Sequence, residues 1–184
     1  MTIRLTDGTM TLRPFEPPEF DVLWSEETKD RGAFDIAWSP TDERAKQRVR
    51  ARVRHSGEWR DGRVLDLAIQ VDGRLVGDVQ ARRDLEYAPP GLFDLGIALF
   101  GDVRGRGIGT TAVALITEFL FDHEDGARVY LSTDVDNVAM RRSAEKAGFM
   151  FEGVMRGFWA APRTPPRDYA LYARTRADHL GSRA

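Results

Sequence analysis

The fold of this chain is decided by the stretch Val103-Arg104-Gly105-Arg106-Gly107-Ile108-Gly109-Thr110. Three glycines alternate with other residues in it, and glycine lacks the Cβ atom that keeps a backbone away from a ligand. An apolar segment precedes the stretch, and apolar residues at helical spacing follow it, so the glycines lie where a strand leads into a helix. Backbone N–H groups and the positive end of the helix dipole bind anions at such a place. The pattern predicts a loop that holds a diphosphate.

The glycine-rich loop has three other interpretations besides a diphosphate site. The loop lacks the Gly-Lys-Ser/Thr ending of a nucleotide-binding P-loop, which disfavours hydrolysis of nucleoside triphosphates. A glycine-rich turn that serves only tight packing of a helix on a sheet is an alternative, because the loop alone is weakly specific. A Rossmann dinucleotide site is another, since Asp134 or Asp136 at the end of the next strand would suit a ribose.

The segments around the loop predict a mixed sheet. Asp72-Gly73 suits a tight turn between two apolar strands, and the run from Leu92 to Phe100 has the apolar density of a central strand. The predicted strands lie at 10–15, 64–71, 74–82, 92–100, 128–133, 149–158 and 168–174, and the predicted helices at 19–29, from 39–42 to about 59, 108–120 and 137–147. This order contains one parallel crossover beside an antiparallel meander, which disfavours the Rossmann fold because that fold needs several crossovers.

Composition limits the class of protein. A chain of 184 residues with 42% hydrophobic residues is typical of a single globular domain, which we expect to span 1–184. The net charge of -2 gives no reason to expect a nucleic acid or a membrane as partner. The absence of cysteine excludes a cysteine nucleophile and a thiolate zinc site, and His55, His123 and His179 are isolated in sequence, so we expect no metal. With no apolar leader or membrane span in the sequence, we expect a cytoplasmic protein.

A resemblance to a known family rests on three motifs together. They are Arg104-Gly105-Arg106-Gly107-Ile108-Gly109, Asn137 and Lys146-Ala147-Gly148-Phe149, which resemble the acetyl-CoA-binding core of the GNAT superfamily of N-acetyltransferases. Leu12-Arg13-Pro14, Glu152-Gly153-Val154-Met155-Arg156 and Arg167-Asp168-Tyr169 are similar to the branch that contains ribosomal-protein N-terminal acetyltransferases. The resemblance implies an α+β fold of mixed α/β character. Its central sheet would be mostly antiparallel, with six to seven strands flanked by helices and its central strands splayed apart.

The resemblance also implies the residues that bind acetyl-CoA. Backbone N–H groups of Val103, Arg104, Gly105, Arg106, Gly107, Ile108, Gly109 and Thr110 would bind the pyrophosphate. The backbone of Ile97, Ala98 and Leu99 would pair with the pantetheine arm, and Asn137 would reach the same arm, although asparagine there also suits an ordinary helix cap. Gly96 fits a β-bulge that splays the sheet, or else simple close packing.

Acetyl transfer to an amine needs a proton acceptor, because an amine with a pKa of about 10 is mostly protonated at neutral pH. Asp94 lies on the central strand where several family members have a catalytic glutamate, and a surface aspartate is the competing interpretation. Many members have a tyrosine as general acid at the position of Ala144. The neighbouring Ser143 is a weak substitute, since one residue along a helix rotates the side chain by about 100°.

These observations predict an N-acetyltransferase that joins acetyl-CoA and a primary amine in a ternary complex. The amine would be a protein N-terminus or a small molecule. A non-catalytic acyl-CoA sensor is the first alternative, because Ala144 removes the usual acid, and a Rossmann-type methyltransferase is the second. The alternating basic residues from Arg44 to Arg54 suit either an acidic protein surface or a solvated helix, and a homodimer is a further candidate assembly.

Overall fold

The computed structural model describes residues 3–30, 42–83, 86, 88–160 and 165–182. These residues form nine strands and five α-helices. The strands are β1 (Leu5–Thr6), β2 (Met10–Arg13), β3 (Trp59–Arg60), β4 (Val64–Val71), β5 (Arg74–Arg82), β6 (Leu92–Leu99), β7 (Arg128–Asp134), β8 (Met150–Trp159) and β9 (Arg167–Thr175). The helices are α1 (Glu19–Lys29), α2 (Glu43–Arg54), α3 (Ile108–His123), α4 (Val138–Lys146) and α5 (Arg176–Gly181).

The nine strands form one mixed sheet in the order β1-β2-β4-β5-β6-β7-β9-β8, with β3 paired to β4. Among the described strands only β6 and β7 pair in parallel. The predicted mixed, mostly antiparallel sheet is therefore confirmed, and this topology is incompatible with a doubly wound Rossmann sheet. The expected six to seven strands are too few, because β1 and β3 are two-residue strands that pair with β2 and β4.

Helix α2 begins at a side-chain cap. One oxygen of Asp42 accepts hydrogen bonds from the backbone N–H groups of Arg44 and Ala45, which satisfies donors that the first turn leaves unpaired. The predicted start at 39–42 is described only from Asp42 onward, because Ser39, Pro40 and Thr41 lie outside the described residues. The predicted end near Trp59 is wrong: the helix ends at Arg54, and Trp59 lies in β3.

The core is built by helix α3 against the sheet. Ala112, Ile116 and Leu120 recur at helical spacing and are fully buried, and the helix contacts β2, β5 and β6. Helices α1 and α2 pack on each other, and Arg52 of α2 reaches the sheet. Short helix α5, which the sequence analysis missed, begins with a capping box at Thr175 and Asp178. No helix among the described residues is long and apolar enough to span a membrane.

The two central strands, β6 and β7, separate where each continues alongside its antiparallel neighbour, β5 or β9. β6 and β7 are in register only from Leu92–Arg128 to Leu95–Leu131. Beyond that point β6 stays paired with β5 as far as Leu99, and β7 stays paired with β9 as far as Asp134. The expected splay is confirmed, but the expected bulge at Gly96 is wrong, because β5 and β6 pair without interruption through that residue. Register shifts lie instead between β4 and β5, at Ile69 and Gln70, and between β8 and β9.

Candidate active site

The glycine-rich loop leads directly into helix α3. A short 3-10 turn over Gly101–Val103 follows β6, and Gly107 occupies the position before the first helical residue with no side chain to cap it. Gly105 and Gly107 have φ angles of +76° and +85°, a backbone conformation that other residues adopt only at a cost. The backbone conformation of the loop, and not a lack of space, therefore favours glycine at both positions, since an added Cβ would meet no atom within 4 Å.

Most amides of this loop have no acceptor among the described residues. Val103 N–H donates to Phe100 O over 3.2 Å, and Thr111 N–H donates to Gly107 O over 3.2 Å. Between them, the N–H groups from Arg104 to Thr110 donate to no acceptor in the part of the chain that the structure describes. They lie at the positive end of a sixteen-residue helix, so the loop offers converging donors and a favourable potential to an anion.

The two arginines of the loop have different surroundings. Arg104 donates from Nε and Nη2 to the backbone oxygen of Leu99, over 2.9 and 2.7 Å, and its Nη1 lies 2.7 Å from Asp30 Oδ2. Both side chains are exposed, but the guanidinium of Arg104 ties the loop to the end of β6 and to the residue after α1. Of the two side chains, Arg106 is the one positioned to meet a solvent-borne anion.

A cleft of about 550 Å³ opens where β6 and β7 part. Ile97 and Ala98 line it from β6, and Ser132 and Thr133 line it from β7. Leu99, the last predicted residue of the arm-binding strand, packs near the loop: a Cβ built on Gly109 would lie 3.5 Å from Leu99 Cδ1. The structure thus brings the predicted segment 97–99 to the gap between the strands and to the glycine-rich loop.

Asn137 lies at the start of α4 and lines the same cleft. Its Oδ1 accepts a hydrogen bond from Met140 N–H over 3.1 Å, so the residue is an ordinary helix cap. The side chain is exposed, and its amide nitrogen remains a donor on the cleft side of the helix. Both interpretations given from the sequence are therefore compatible with its position.

Asp94 lines the cleft and is held by Arg82. Its Oδ2 accepts hydrogen bonds from Arg82 Nε over 3.0 Å and lies 2.9 Å from Nη2. Burial raises the pKa of Asp94 above its ordinary value, while the neighbouring Arg82 acts in the opposite direction. The guanidinium also packs on Gly96, where a Cβ would lie 3.1 Å from Arg82 Nη2, so close packing accounts for this glycine.

The candidate general acid lies outside the cleft. Ser143 is half-buried on α4, and its hydroxyl is 3.8 Å from where a Cβ on Gly109 would be, next to the first turn of α3. Ala144, at the position where many family members have a tyrosine, is fully buried in the core. Neither residue is among those that line the cleft.

A buried charge cluster at the floor of the cleft was missed by the sequence analysis. Arg52 donates to Glu27 Oε1 over 2.5 Å, to Asp66 Oδ1 over 3.3 Å and to Asp78 Oδ2 over 2.5 Å. The alternating basic residues suggested a solvated helix, but Arg52 lies at helical spacing from the buried Ala45 and Val49. That spacing was a usable signal, as were two aspartates inside otherwise apolar strands.

None of the residues that line the described cleft is a histidine. His179 is not isolated as expected, because it is buried with Nε2 3.0 Å from Asp122 Oδ1 and its ring stacked on Phe121. Over the described ranges, no group of three or more histidine or carboxylate side chains is placed to hold a metal ion.

Comparison with known proteins gives a consistent result. A family model described as an acetyltransferase (GNAT) domain matches residues 9–150. Three solved structures share the fold. RimJ of Mycobacterium smegmatis in complex with CoA-disulfide is 19% identical, with a TM-score of 0.73 over 99% of this chain and 93% of that chain. RimL, the ribosomal L7/L12 α-N-protein acetyltransferase, in complex with coenzyme A, is 18% identical, with a TM-score of 0.78 over 94% and 98%.

The third structure is the microcin C7 self-immunity acetyltransferase MccE in complex with acetyl-CoA and AMP. It is 20% identical, with a TM-score of 0.74 over 92% of this chain and 93% of that chain. A search of curated protein sequences finds no match. At these identities the structural likeness establishes the shared fold, not a shared acceptor.

Proposed function

The chain belongs to the acetyltransferase (GNAT) domain family, and from this premise we propose that it transfers an acetyl group from acetyl-CoA to a primary amine. In the proposed reaction both substrates are bound together and the amine attacks the thioester directly. No covalent acetyl-enzyme is needed, and the chain has no cysteine to form a thioester of its own.

One observation carries the proposal: the amides from Arg104 to Thr110, which have no acceptor among the described residues, lie beside the gap where β6 and β7 part. A pyrophosphate needs several donors and a positive potential, and a pantetheine arm needs an open strand edge. Both requirements are met side by side, so the chain fits acetyl-CoA. The proposed binding residues are Ile97, Ala98, Leu99, Val103, Arg104, Gly105, Arg106, Gly107, Ile108, Gly109, Thr110 and Asn137.

Acetyl-CoA supplies an activated acetyl thioester when bound. The chain must then orient the acceptor, remove a proton from its ammonium group and stabilise the negative charge that develops on the carbonyl oxygen. Backbone N–H groups on the open edge of β6 are the proposed donors to that oxygen. Asp94 is the proton acceptor proposed from the sequence, and Ser143 is the proposed donor to the leaving thiolate, which with a pKa of about 8.5 also leaves readily into water.

The class of amine acceptor proposed for this chain is broader than the acceptor given for RimL. RimL is described as acting on a ribosomal protein, and for this chain we propose a protein N-terminus or a small-molecule amine. An acidic partner surface at the Arg44–Arg54 helix is kept as a proposal for its exposed residues, since Arg52 points inward to the carboxylates. The single domain, the cytoplasmic location and the homodimer stay predictions.

Two measurements test the proposed function. Titration calorimetry should detect acetyl-CoA binding, and thiol release should depend on an acceptor from a panel of a Ser-initiated peptide, spermidine and kanamycin. Absence of acetyl-CoA binding would contradict the proposal. Binding without turnover of any amine would favour the sensor, which Ala144 motivates.

A further inference from the structure

The floor of the cleft holds a charge cluster in which carboxylates outnumber cations. Three carboxylates, those of Glu27, Asp66 and Asp78, surround the guanidinium of Arg52. A second guanidinium, that of Arg60, binds the far oxygen of Asp66 over 2.9 Å. With all groups ionised, two positive charges face three negative ones. Because an unbalanced buried charge is costly, the cluster favours an additional cation or an additional proton.

Asp78 is the aspartate of this charge cluster that lines the cleft. Its Oδ2 is bound by Arg52, but its Oδ1 is buried and accepts no hydrogen bond among the described residues. The residue is only 4% exposed and lines the cleft. Asp66 differs, because both of its oxygens are bound by arginines and it does not line the cleft. A buried acceptor without a donor is costly, so Asp78 Oδ1 is suited to a ligand that brings an N–H group.

The register of the sheet places Asp78 beside the gap. Asp78 of β5 is the direct partner of Ala98 of β6. Ala98 belongs to the four residues of β6 that have no partner on β7, which is the segment proposed to hold the reactive arm. Directly opposed residues project to the same face of a sheet. Asp78 therefore lies on the same face of the sheet as Ala98, with its unpaired oxygen buried beside the cleft, next to the place where the proposed acetyl group would lie.

The surroundings of Asp78 favour a proton near neutral pH. Burial is the main cause that raises the pKa of Asp78 to about 7; the negative Glu27 and Asp66 contribute to this rise, and Arg52 opposes it. The other charged groups that line the cleft are the exposed Arg48 of α2 and the mutually bound Arg82 and Asp94. A general base with a pKa near the working pH combines a useful carboxylate fraction with sufficient basicity.

We propose that Asp78 Oδ1 binds the ammonium group of the acceptor and takes up one of its protons. This inference rests on the proposed acetyl transfer. The ammonium nitrogen gives a proton to Asp78, and its freed lone pair forms the C–N bond while the C–S bond of the thioester breaks. The nitrogen loses a second proton, which neutralises the departing thiolate, and Asp78 returns its proton to solvent. The site would select cationic primary amines over neutral hydroxyl acceptors, because only the cation supplies the missing charge.

A titration by NMR tests the binding step without turnover. Protein labelled with ¹³C at the aspartate carboxyl carbon is titrated with pH, and the Asp78 resonance is assigned by its absence in Asp78→Asn. In n-butylammonium chloride the midpoint of Asp78 should fall by about one pH unit, because a bound cation favours the carboxylate. Tetramethylammonium chloride has the same charge but no N–H donor and should leave the midpoint unchanged. An equal response to both salts, or to neither, would overturn the inference.

Matched variants test the proton transfer. Asp78→Asn and Asp66→Asn each remove one carboxylate from Arg52, but only the first alters the cleft. For an acceptor that the panel identifies, kcat/KM of Asp78→Asn should fall at least about 100-fold, the usual scale of a lost general base. The remaining kcat/KM of Asp78→Asn should rise only at higher pH, where the amine itself loses its proton in solution. Asp66→Asn should keep a rise in kcat/KM that depends on Asp78, with its midpoint below that of the wild type, because loss of the negative Asp66 lowers the pKa of Asp78.

The outcomes separate this inference from the proposed function. If acetyl-CoA fails to bind the wild-type protein, the proposed function fails. If acetyl-CoA binds and the rise near pH 7 persists in Asp78→Asn, or disappears in Asp94→Asn instead, only the role of Asp78 is refuted. If the two cluster variants lose activity equally and keep the same pH profile, Asp78 serves only to hold Arg52.

Discussion

At the scale of single residues, Asp78 should make the stability of the protein depend on pH. Its pKa is about 7 in the folded state against an ordinary value of 3.8. Between pH 3.8 and about pH 7, Asp78 is protonated in the folded chain and ionised in the unfolded chain. The stabilisation that this protonation provides is therefore fully present below pH 3.8 and is lost as the pH rises through about 7.

The variant Asp78→Asn cannot titrate, so its free energy of unfolding should decline less than that of the wild type between about pH 4 and pH 7. Urea unfolding at several pH values measures the difference. Glu27 and Asp94, whose pKa values are also raised by burial, are present in both proteins and cancel in the comparison. Parallel curves for the two proteins would show that Asp78 does not bind the proton.

Arg52 should be essential for folding stability, because it is the one cation that all three carboxylates of the described cluster share. Replacing it by methionine leaves buried charges without their partner and should cost about 3–5 kcal/mol. Arg54→Met, at an exposed position of the same helix, should change stability by less than about 0.5 kcal/mol. Urea unfolding measures both, and equal effects of the two substitutions would contradict the role of Arg52.

The sequence predicted residues with local structural roles but not the contacts between residues far apart in the chain. The glycines of the loop and the cap at Asn137 follow from local backbone requirements, so spacing alone located them. The partner of Asp94 and the carboxylates around Arg52 come from strands and helices far apart in the chain. A local sequence pattern does not reveal such contacts. The inward orientation of Arg52 was indicated by its helical spacing from Ala45 and Val49, and its carboxylate partners by aspartates within apolar strands.

At the scale of one structural element, the glycine-rich loop allows a test with a closely matched control. Gly105 and Gly73 both have a φ of +76°, and a Cβ at either would meet no atom within 4 Å. Alanine at either position should therefore cost a similar backbone strain of about 1 kcal/mol. Only Gly105 lies among the unpaired amides, so only Gly105→Ala should weaken acetyl-CoA binding, by about tenfold if the strain redirects one N–H group.

Calorimetric titration of both variants with acetyl-CoA measures this difference, and thermal unfolding checks that their stabilities match. A loss of affinity in Gly73→Ala as large as that in Gly105→Ala would show that strain anywhere in the sheet affects binding. Unchanged affinity in both variants would remove the loop amides from the proposed site.

Most elements were predicted within one or two residues because their hydrophobic periodicity is strong. Three short elements were not predicted: helix α5 and the strands β1 and β3. The two strands contain two residues each and owe their existence to pairing with a longer strand. The end of α2 was placed too late, since helical spacing does not reveal where a chain turns back to join a sheet. The splay was expected only from the family resemblance, and the structure attributes it to competing antiparallel neighbours rather than to a bulge at Gly96.

At the scale of the whole molecule, binding of acetyl-CoA should stabilise the fold. At a concentration of 100 times its Kd, a ligand that binds only the folded state adds about 2.7 kcal/mol. For a chain of this length that corresponds to a rise in Tm of about 5–10 °C. Differential scanning calorimetry with acetyl-CoA measures the shift. Gly105→Ala should show a smaller rise than Gly73→Ala at the same ligand concentration.

The parting of β6 and β7 also has a mechanical consequence. Strands β1 to β6 are held to one another by antiparallel ladders, as are β7 to β9, and the two groups meet in the sheet through only four register pairs among the described residues. This short parallel seam therefore runs beside the cleft of the proposed site. Slow opening along that seam would admit or release a bulky substrate without unravelling either half, and amide hydrogen exchange would reveal it as faster exchange along the seam than within either half.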